Sequence, residues 1–492
     1  MAISFSKAEF FRPGTMQQRL LALAGGGTFG ALLTTAIART SPMMGAGIIV
    51  GIVVFGAILI SPELGLWLTA LVIPIERLGR FTNDSSAYTV SLMRIVGMLT
   101  LTAWLLHTAV RRGKIVFGLP IVMYATYLGY GLLTIFWTND RLGGIRAGSA
   151  MLGNLLFLFL IVNVVRDWRT AKRVVMIWLG ASLLIGIFTI YQWHSGSRGT
   201  DESDLGSVSQ RFSTVLKDNS EWESLNQVER ALGPTSSPAV YAINMILTLP
   251  FFVLLFRTTR SVWFRIGIGA SVLIVLYNVL LTNTRAAILL AVVVILMCVL
   301  RGIVKLTPPL IGCGAVLLGI VLAVTPGAVY HRVLDVSNYG AEKSGTLRAR
   351  LAYWQAGTEI ASDYWYKGIG IGNQAMVPKY ANIPGPEFSS VHNEYLNTFL
   401  EVGLFGWLFF FGFIAVLLHA CFRAARWFRL SAETQQQYWF LIACQIAMIS
   451  VLLFAVQVDV FHFPLKGWWL VASVTVVMDQ IARKAQLRRE MA

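Results

Sequence analysis

Long apolar runs separated by short polar segments recur along the chain from about residue 19 to residue 482. Many of these runs approach the ~20 residues with which a helix crosses a hydrocarbon core of ~30 Å. Helices are the expected spanning form, because a backbone surrounded by lipid has to satisfy its own polar groups. The pattern therefore predicts an all-α polytopic membrane protein.

The runs predict up to about fourteen membrane helices, and a count of about twelve is equally compatible because Pro62 and Pro74 interrupt the early runs. The predicted spans are residues 19–39, 45–60, 64–77, 92–110, 116–137, 149–165, 174–192, 237–256, 266–282, 286–300, 307–326, 396–420, 437–458 and 465–482. We therefore divide the chain into transmembrane helices (1–326), a large loop domain (327–395), and C-terminal helices with a tail (396–492).

Lysine and arginine cluster in the connectors near residues 111, 166, 257, 301 and 423, and in the tail Arg483–Arg489. If the N-terminus is cytoplasmic and the spans alternate, all of these clusters fall on the cytoplasmic side, as the positive-inside rule requires. Both termini are then predicted to be cytoplasmic. Two long segments, 193–236 and 327–395, are predicted to lie on the outer side.

The composition agrees with the membrane class, since charged residues make up 13% of the chain, against ~25% in soluble domains. The formal net charge of +16 does not indicate a nucleic-acid partner, because the basic residues lie in connectors that face membrane lipids. The cysteines fall in or beside apolar segments without metal-ligand spacing, which predicts small hydrophobic roles. They are Cys298, Cys313, Cys421 and Cys444.

The two outer segments are longer than simple turns. Loops of more than about 15 residues are usually functional or disordered. The segment 193–236 is polar and acidic, whereas 327–395 contains aromatic, basic and glycine-rich stretches. A helix is predicted at 346–362, packed as a cap over the membrane helices. Its expected apolar face consists of Leu347, Leu351, Trp354 and Ile360.

His392 lies in the segment Val391–Leu396, which ends the large loop directly before an apolar run. A histidine at the water-facing start of a membrane helix titrates near neutral pH and can accept a proton from a hydroxyl group. A capping or interfacial role is the open alternative. Three other histidines lie at positions typical of ordinary interface residues: His107, His331 and His419.

Several arginines are candidates for binding an anion. Arg285 lies between two apolar runs with almost no loop around it, and a guanidinium fork fits phosphate oxygens in bidentate fashion. The alternative is an arginine that reaches the outer interface. Arg348 and Arg350 open the predicted loop helix and either bind an anion or pair with nearby glutamates. Arg230 precedes the span that begins near 237 and either binds phosphate or forms a salt bridge at the end of its loop.

Residues 368–373 have the glycine-rich sequence Gly-Ile-Gly-Ile-Gly-Asn. A nucleotide-binding motif of this kind needs a preceding strand, a following helix and a later acidic residue, and that context is missing. The glycines instead predict a tight turn that returns the loop to the membrane.

Together these motifs resemble the O-antigen ligase family and its relatives, the O-antigen polymerases and the bacterial protein O-oligosaccharyltransferases. The resemblance covers about residues 225–415. It depends on Thr-x-Thr-Arg at 282–285, Arg-x-x-x-Trp at 350–354, Gly-x-Gly-x-Gly-Asn at 368–373, and His-Asn-x-Tyr-Leu from His392 with the trailing Glu401, Gly403 and Gly406.

This resemblance implies an enzyme of about 12 transmembrane helices with a GT-C-like fold, at the periplasmic face of a bacterial inner membrane. The implied donor is a glycan on undecaprenyl pyrophosphate, and the leading acceptor is the lipid A core. A polymerase or a protein-glycosylating enzyme would use the same donor and residues. His392 is implied as the catalytic residue. The implied pyrophosphate ligands are Arg285, Arg350, its register alternative Arg348, and Arg230. The implied supporting residues are Thr284, Asn393, Tyr395 and Glu401. Arg230 is the weakest match, because Ser236–Ala239 stands where relatives have an Asn-Pro-Asn-like stretch.

The chemistry of the residues agrees with this resemblance. A pyrophosphate is a good leaving group, so arginines that neutralise it and one histidine suffice, with no metal and no cofactor. We expect a single displacement with inversion, unlike glycosidases that use paired carboxylates. A transporter would place ionisable residues near the membrane midplane, often in repeated halves, and no repeat is visible here.

Overall fold

The computed structural model describes residues 42–75, 91–195, 215–217, 229–235, 237–304, 308, 312, 319, 345–373, 391–462 and 465–491. The chain divides into two units, Met1–Ser61 and Pro62–Ala492. In the first unit the described element is helix α1, Pro42–Ile60. The predicted spans 19–39 and 307–326 lie outside the described residues, apart from the single positions noted above.

The second unit is built mainly of helices. They are α2 (Pro62–Val72), α3 (Leu92–Val110), α4 (Leu119–Thr134), α5 (Arg141–Val164), α6 (Trp168–Ser195), α7 (Pro238–Ile246), α8 (Leu249–Thr258), α9 (Val262–Leu281), α10 (Arg285–Leu300), α11 (Gly345–Tyr364), α12 (Glu394–Phe428), α13 (Gln435–Phe454) and α14 (Lys466–Glu490). Short 3-10 turns lie at Ile73–Ile75 and Ala432–Thr434, and strands β1 (Val215–Lys217) and β2 (Glu229–Ala231) form an antiparallel pair.

Within the described ranges, seven helical segments are long and apolar enough to cross a membrane, and α4 and α10 are among the shorter apolar helices. This confirms the all-α membrane class, whereas the count of twelve to fourteen spans and the GT-C-like fold stay predictions. The predicted span 237–256 is interrupted at Leu247 and Thr248, between α7 and α8. Pro250 lies in the first turn of α8, where its missing N–H is tolerated.

The basic connectors lie together at one end of the second unit. The guanidinium of Arg257, at the end of α8, hydrogen bonds to the carbonyl of Gly302 and lies 3.8 Å from the ring centroid of Trp439 in α13. Trp168, at the start of α6, packs on Phe440 of α13 with ring centroids 4.9 Å apart. Gly302 follows the end of α10 and Trp439 lies near the start of α13, so the turn before α10 and the turn after α13 lie at the opposite end, which we call the loop end. Which side of a membrane each end faces stays a prediction.

Helix α12 packs against α4, α11, α13 and α14, and it is kinked at Gly403, where φ is 60°. The kink frees backbone groups that pair with the segment after α11: the N–H of Leu404 donates to Trp365 O at 2.8 Å, and the N–H of Ile369 donates to Leu400 O at 2.8 Å. The predicted glycine turn therefore exists, and it is docked on this kink.

Helix α11 confirms the predicted loop helix and part of its predicted apolar face. Tyr353, Ala356 and Ile360 are buried, whereas Leu351 is 46% exposed, so the expectation that Leu351 is buried was wrong. The buried residues share one helix face and pack with Leu400 of α12 in a small apolar cluster. Packing against α12, which the sequence does not state, buries Ile360 as predicted but buries Tyr353 and Ala356 in place of Leu351. The side chain of Leu347 lies outside the described residues.

Candidate functional site

The turn before α12 places His392 in an unusual backbone conformation. Asn393 caps α12, because its Oδ1 accepts hydrogen bonds from the backbone N–H groups of Tyr395 and Leu396 at 3.1 and 3.2 Å. His392 has a φ of 51°, in the left-handed region that few residues other than glycine adopt. Such constrained conformations concentrate at functional sites. The predicted supporting residue Asn393 therefore orients the turn that presents His392.

A carboxylate faces His392 from the turn between α13 and α14. Nδ1 of His392 lies 3.9 Å from Oδ2 of Asp459. The side chain of Asp459 is 2% exposed, whereas that of His392 is 36% exposed. Asp459 was not identified from the sequence. The available signal was an acidic residue between two apolar runs on the predicted outer side, since ionisable residues at such positions are often functional.

Arg350 of α11 completes this group. Burial lowers the pKa of the Arg350 guanidinium, and the nearby Asp459 carboxylate acts against that shift. Burial also lowers the pKa of His392, with Asp459 raising it and Arg350 lowering it further. Nε of Arg350 is buried and has no hydrogen-bond partner among the described residues. We call Arg350, His392 and Asp459 the His392 site; the side chain of Arg348 lies outside the described residues.

The other two predicted arginines meet at the turn before α10. Nε of Arg230, in β2, donates to Thr282 O at 3.2 Å, and Nη2 donates to Thr284 Oγ1 at 3.4 Å. Thr284 is the N-cap residue of α10, and the half-buried Arg285 is its first residue. Between the two threonines, Asn283 is 2% exposed and has a φ of 52°. We call Arg230 and residues 282–285 the Arg285 turn.

The His392 site and the Arg285 turn lie at the same end of the second unit. Helix α10 runs from Arg285 towards Gly302, and α13 runs from the Trp439 region towards Asp459. Arg257 contacts both Gly302 and Trp439, so those two positions share the basic end and the candidate residues share the loop end. Convergence of both groups on one cavity stays a prediction.

The remaining predicted supporting residues have contacts of another kind. The hydroxyl of Tyr395 donates to Leu452 O at 2.6 Å, which ties α12 to α13. Glu401 is buried, and its Oε1 accepts a hydrogen bond from Gly372 N at 3.0 Å. Its Oε2 lies 2.9 Å from Nε2 of His462. Both residues therefore hold elements of the fold beside the His392 site.

His462 was not identified from the sequence, although it is surrounded by acidic groups. Its Nδ1 lies 3.1 Å from Oε1 of Glu394, and Glu401 contacts its other ring nitrogen. Burial alone would lower the pKa of His462, but the carboxylates of Glu394 and Glu401 outweigh burial and raise the pKa well above its ordinary value. The two carboxylates therefore favour the imidazolium form of His462. The seven-residue spacing of Glu394 and Glu401 on one helix was the available signal.

Comparison with known proteins identifies one family region. Residues 270–411 match the model of the family described as O-antigen ligase. The matched region contains Arg285, Arg350 and His392, whereas Arg230 and Asp459 lie outside it. No curated protein matches the chain. This match confirms the resemblance indicated by the motifs: residues 270–411 are similar to the O-antigen ligase family.

Proposed function

We propose that the chain is a membrane glycosyltransferase that moves an O-antigen glycan from undecaprenyl pyrophosphate to the lipid A core, at the periplasmic face of a bacterial inner membrane. The observation that carries the proposal is the grouping of Arg350, His392 and Asp459, two of which lie inside the O-antigen ligase match. A cation, a proton acceptor and a carboxylate at one end of a membrane bundle suit a reaction between a lipid-linked donor and a hydroxyl group.

In this proposal, arginines bind the diphosphate of the donor. A guanidinium donates two parallel N–H groups to phosphate oxygens and neutralises charge that grows as the bond to the sugar breaks. We assign Arg285 and Arg350 to this role, with Arg348 as the register alternative to Arg350 and Arg230 as the residue that holds the Arg285 turn. The amide of Asn283 is buried in the same turn and has no hydrogen-bond partner among the described residues. This scheme needs no metal ion and no cofactor.

His392 is assigned as the proton acceptor. Its Nδ1 faces Asp459, and we assign Nε2 as the atom that receives the proton of an acceptor hydroxyl. Burial lowers the pKa of His392, so the imidazole is neutral at pH 7 and can act as a base. The acceptor oxygen bonds to the anomeric carbon as the carbon–phosphate oxygen bond breaks, the proton moves to His392, and undecaprenyl diphosphate leaves. One displacement inverts the configuration at that carbon.

The lipid A core is the acceptor that we favour, because the match to the O-antigen ligase family implies it. A polymerase that lengthens the carrier-linked glycan, or an enzyme that glycosylates proteins, would use the same donor and the same site. A transporter would instead need its charged residues near the midplane of the membrane.

Reconstitution separates these activities. Purified protein in liposomes is given the lipid-linked glycan with lipid A core, or the lipid-linked glycan alone. We expect glycan on the lipid A core in the first mixture. A longer carrier-linked chain from donor alone would identify a polymerase, and absence of product in both mixtures would overturn the proposal.

A pair of histidine variants tests the assigned base. H392A should abolish transfer, while H419A, at an exposed position on α12 far from the loop end, should retain it. Transfer that survives H392A at the level of H419A would show that His392 is not the proton acceptor.

A further inference from the structure

A second group of ionisable side chains lies beside the His392 site, and the proposed transfer does not use it. His462 lies between two glutamates, with Nε2 2.9 Å from Glu401 Oε2 and Nδ1 3.1 Å from Glu394 Oε1. The side chain of Glu394 is 2% exposed, that of Glu401 is 4% exposed, and that of His462 is 20% exposed. We call these three residues the buried ion cluster.

The cluster bridges two turns of one helix. Glu394 and Glu401 are seven residues apart on α12, so they lie on the same face. Two buried carboxylates on one face repel each other unless a cation lies between them, and removing that cation leaves an uncompensated buried charge. His462 supplies the cation from the turn between α13 and α14, in which the backbone N–H of His462 also donates to Asp459 O at 3.3 Å.

Glu394 joins the segments that carry His392 and Asp459. Its Oε2 accepts a hydrogen bond from Phe461 N at 2.9 Å, and its own N–H donates to Ala455 O at 2.9 Å. Asp459 lies between these two contacts, and His392 precedes Glu394 by two residues. A shift of the turn relative to α12 would therefore change the 3.9 Å separation of His392 and Asp459.

Glu401 joins the cluster to the segment that carries Arg350. Its Oε1 accepts from Gly372 N at 3.0 Å, and its carbonyl accepts from Gly370 N at 2.9 Å. Both glycines belong to the turn that follows α11, the helix of Arg350. All three elements of the His392 site are thus connected to the two carboxylates that His462 bridges.

We propose that His462 is a positioning residue of the transfer reaction: by bridging Glu394 and Glu401 it holds His392, Asp459 and Arg350 in their working arrangement. This inference rests on the proposed glycan transfer. His462 acts through its carboxylate partners, so its loss should impair the chemical step more than it impairs donor binding.

Turnover measurements test this role. The variants are H462Q, E401Q, E401Q/H462Q and the matched control H419Q, each corrected for the amount of folded protein. We expect H462Q to lower kcat between about 10-fold and 100-fold, because a misplacement of ~1 Å has costs of that size, with a smaller change in donor KM. The double variant should lose less than the product of the two single losses, because either single change already breaks the contact between Glu401 and His462.

The proposal would be overturned if H462Q retained the kcat of H419Q, if its loss matched a loss of folded protein, or if the single losses multiplied independently. A second measurement does not depend on activity. A short reagent should cross-link the two cysteines of the H392C/D459C variant efficiently, and those of the H392C/D459C/H462Q variant inefficiently. Equal yields from the two proteins would overturn the proposal. If the wild-type protein transferred no glycan, the proposed function would fail while this cross-linking result still stood.

Discussion

Oδ2 of Asp459 lies 3.9 Å from Nδ1 of His392, although the whole of α12 and α13 separates these residues along the chain. The carboxylate is buried and the imidazole is partly exposed. A buried carboxylate can orient an imidazole and stabilise its protonated form, while the exposed side of the ring remains accessible to a reacting hydroxyl. This relationship makes the pH dependence of transfer informative.

The pH profile of kcat/KM should report on His392. Burial lowers the pKa of His392, so the neutral base should persist below the ordinary histidine value, and the rate should fall only as pH drops through that lowered pKa. Asp459 raises this pKa, so D459N should move the acid limb to lower pH. Arg350 lowers it, so R350Q should move the limb to higher pH. Each profile is measured in liposomes with saturating acceptor.

D363N is the matched control for these profiles, because Asp363 lies exposed on α11. Its acid limb should coincide with that of the wild-type protein. Identical limbs for all four proteins would contradict the assignment of His392 as the titrating base.

Donor binding should depend on Arg285. A charge-assisted contact to phosphate contributes about 1.5–3 kcal/mol, so R285Q should raise the donor KM about 10-fold to 100-fold. R285K should fall between the wild-type protein and R285Q, since lysine retains the charge but not the planar fork. R260Q, an exposed position in the connector between α8 and α9, should leave the KM unchanged. Equal effects of R260Q and R285Q would indicate a general charge effect and not a phosphate site.

The contact between the glycine turn and the α12 kink should be sensitive to a single methyl group. A Cβ on Gly403 would lie 2.6 Å from the backbone nitrogens of Gly368 and Lys367, at a φ of +60°. G403A should therefore destabilise the protein by about 1–3 kcal/mol, seen as a lower Tm in detergent. G267A is the control, because nothing lies within 4 Å of its Cβ position in α9. A Tm of G403A equal to that of G267A would contradict the docked turn.

Stability should also vary with pH through the buried ion cluster. The pKa of His462 is raised by Glu394 and Glu401, whose carboxylates face the imidazole from α12. Asp459 is a further acidic residue in the turn that contains His462. A raised pKa means that the folded protein binds a proton that the unfolded chain releases above about pH 6.5. The stabilisation is therefore complete below that value and is lost as pH rises through the folded pKa.

Thermal unfolding of the wild-type protein at a series of pH values above 6.5 should show this decline, and H462Q should lack it. H419Q, whose residue is exposed and far from the loop end, should retain the wild-type slope. The same slope in H462Q and the wild-type protein would mean that another group titrates.

Most individual helices were predictable, because their signals are local. Apolar runs at membrane length predicted α3, α9 and α13 close to their observed bounds. Positive charge in short connectors predicted which connectors share an end, and Arg257 confirms that grouping through its contacts with the regions after α10 and at the start of α13. The glycine turn was predictable for a similar reason, since only glycine readily adopts the φ values found at 368, 370 and 372.

The candidate site was only partly predictable. His392 and Arg350 lie in short motifs, so they could be named from the chain alone. Asp459 and His462 could not, because an isolated acidic residue or histidine between two apolar runs has no local feature that specifies its partner. One position on the buried face of α11 was also misjudged, since Leu351 is more hydrophobic than Ala356 but is exposed, whereas Ala356 is buried.

Hydropathy, charge and short motifs by themselves determined the membrane class, most helix positions, the loop helix and the two arginines and one histidine of the expected chemistry. These properties depend on the residues within one turn or one span. Only the tertiary structure decided that Asp459 faces His392, that Arg230 holds the Arg285 turn, and that His462 joins Glu394 to Glu401. Those contacts arise from the packing of helices distant in sequence, and the free energy that selects one packing belongs to the whole bundle and to no single segment.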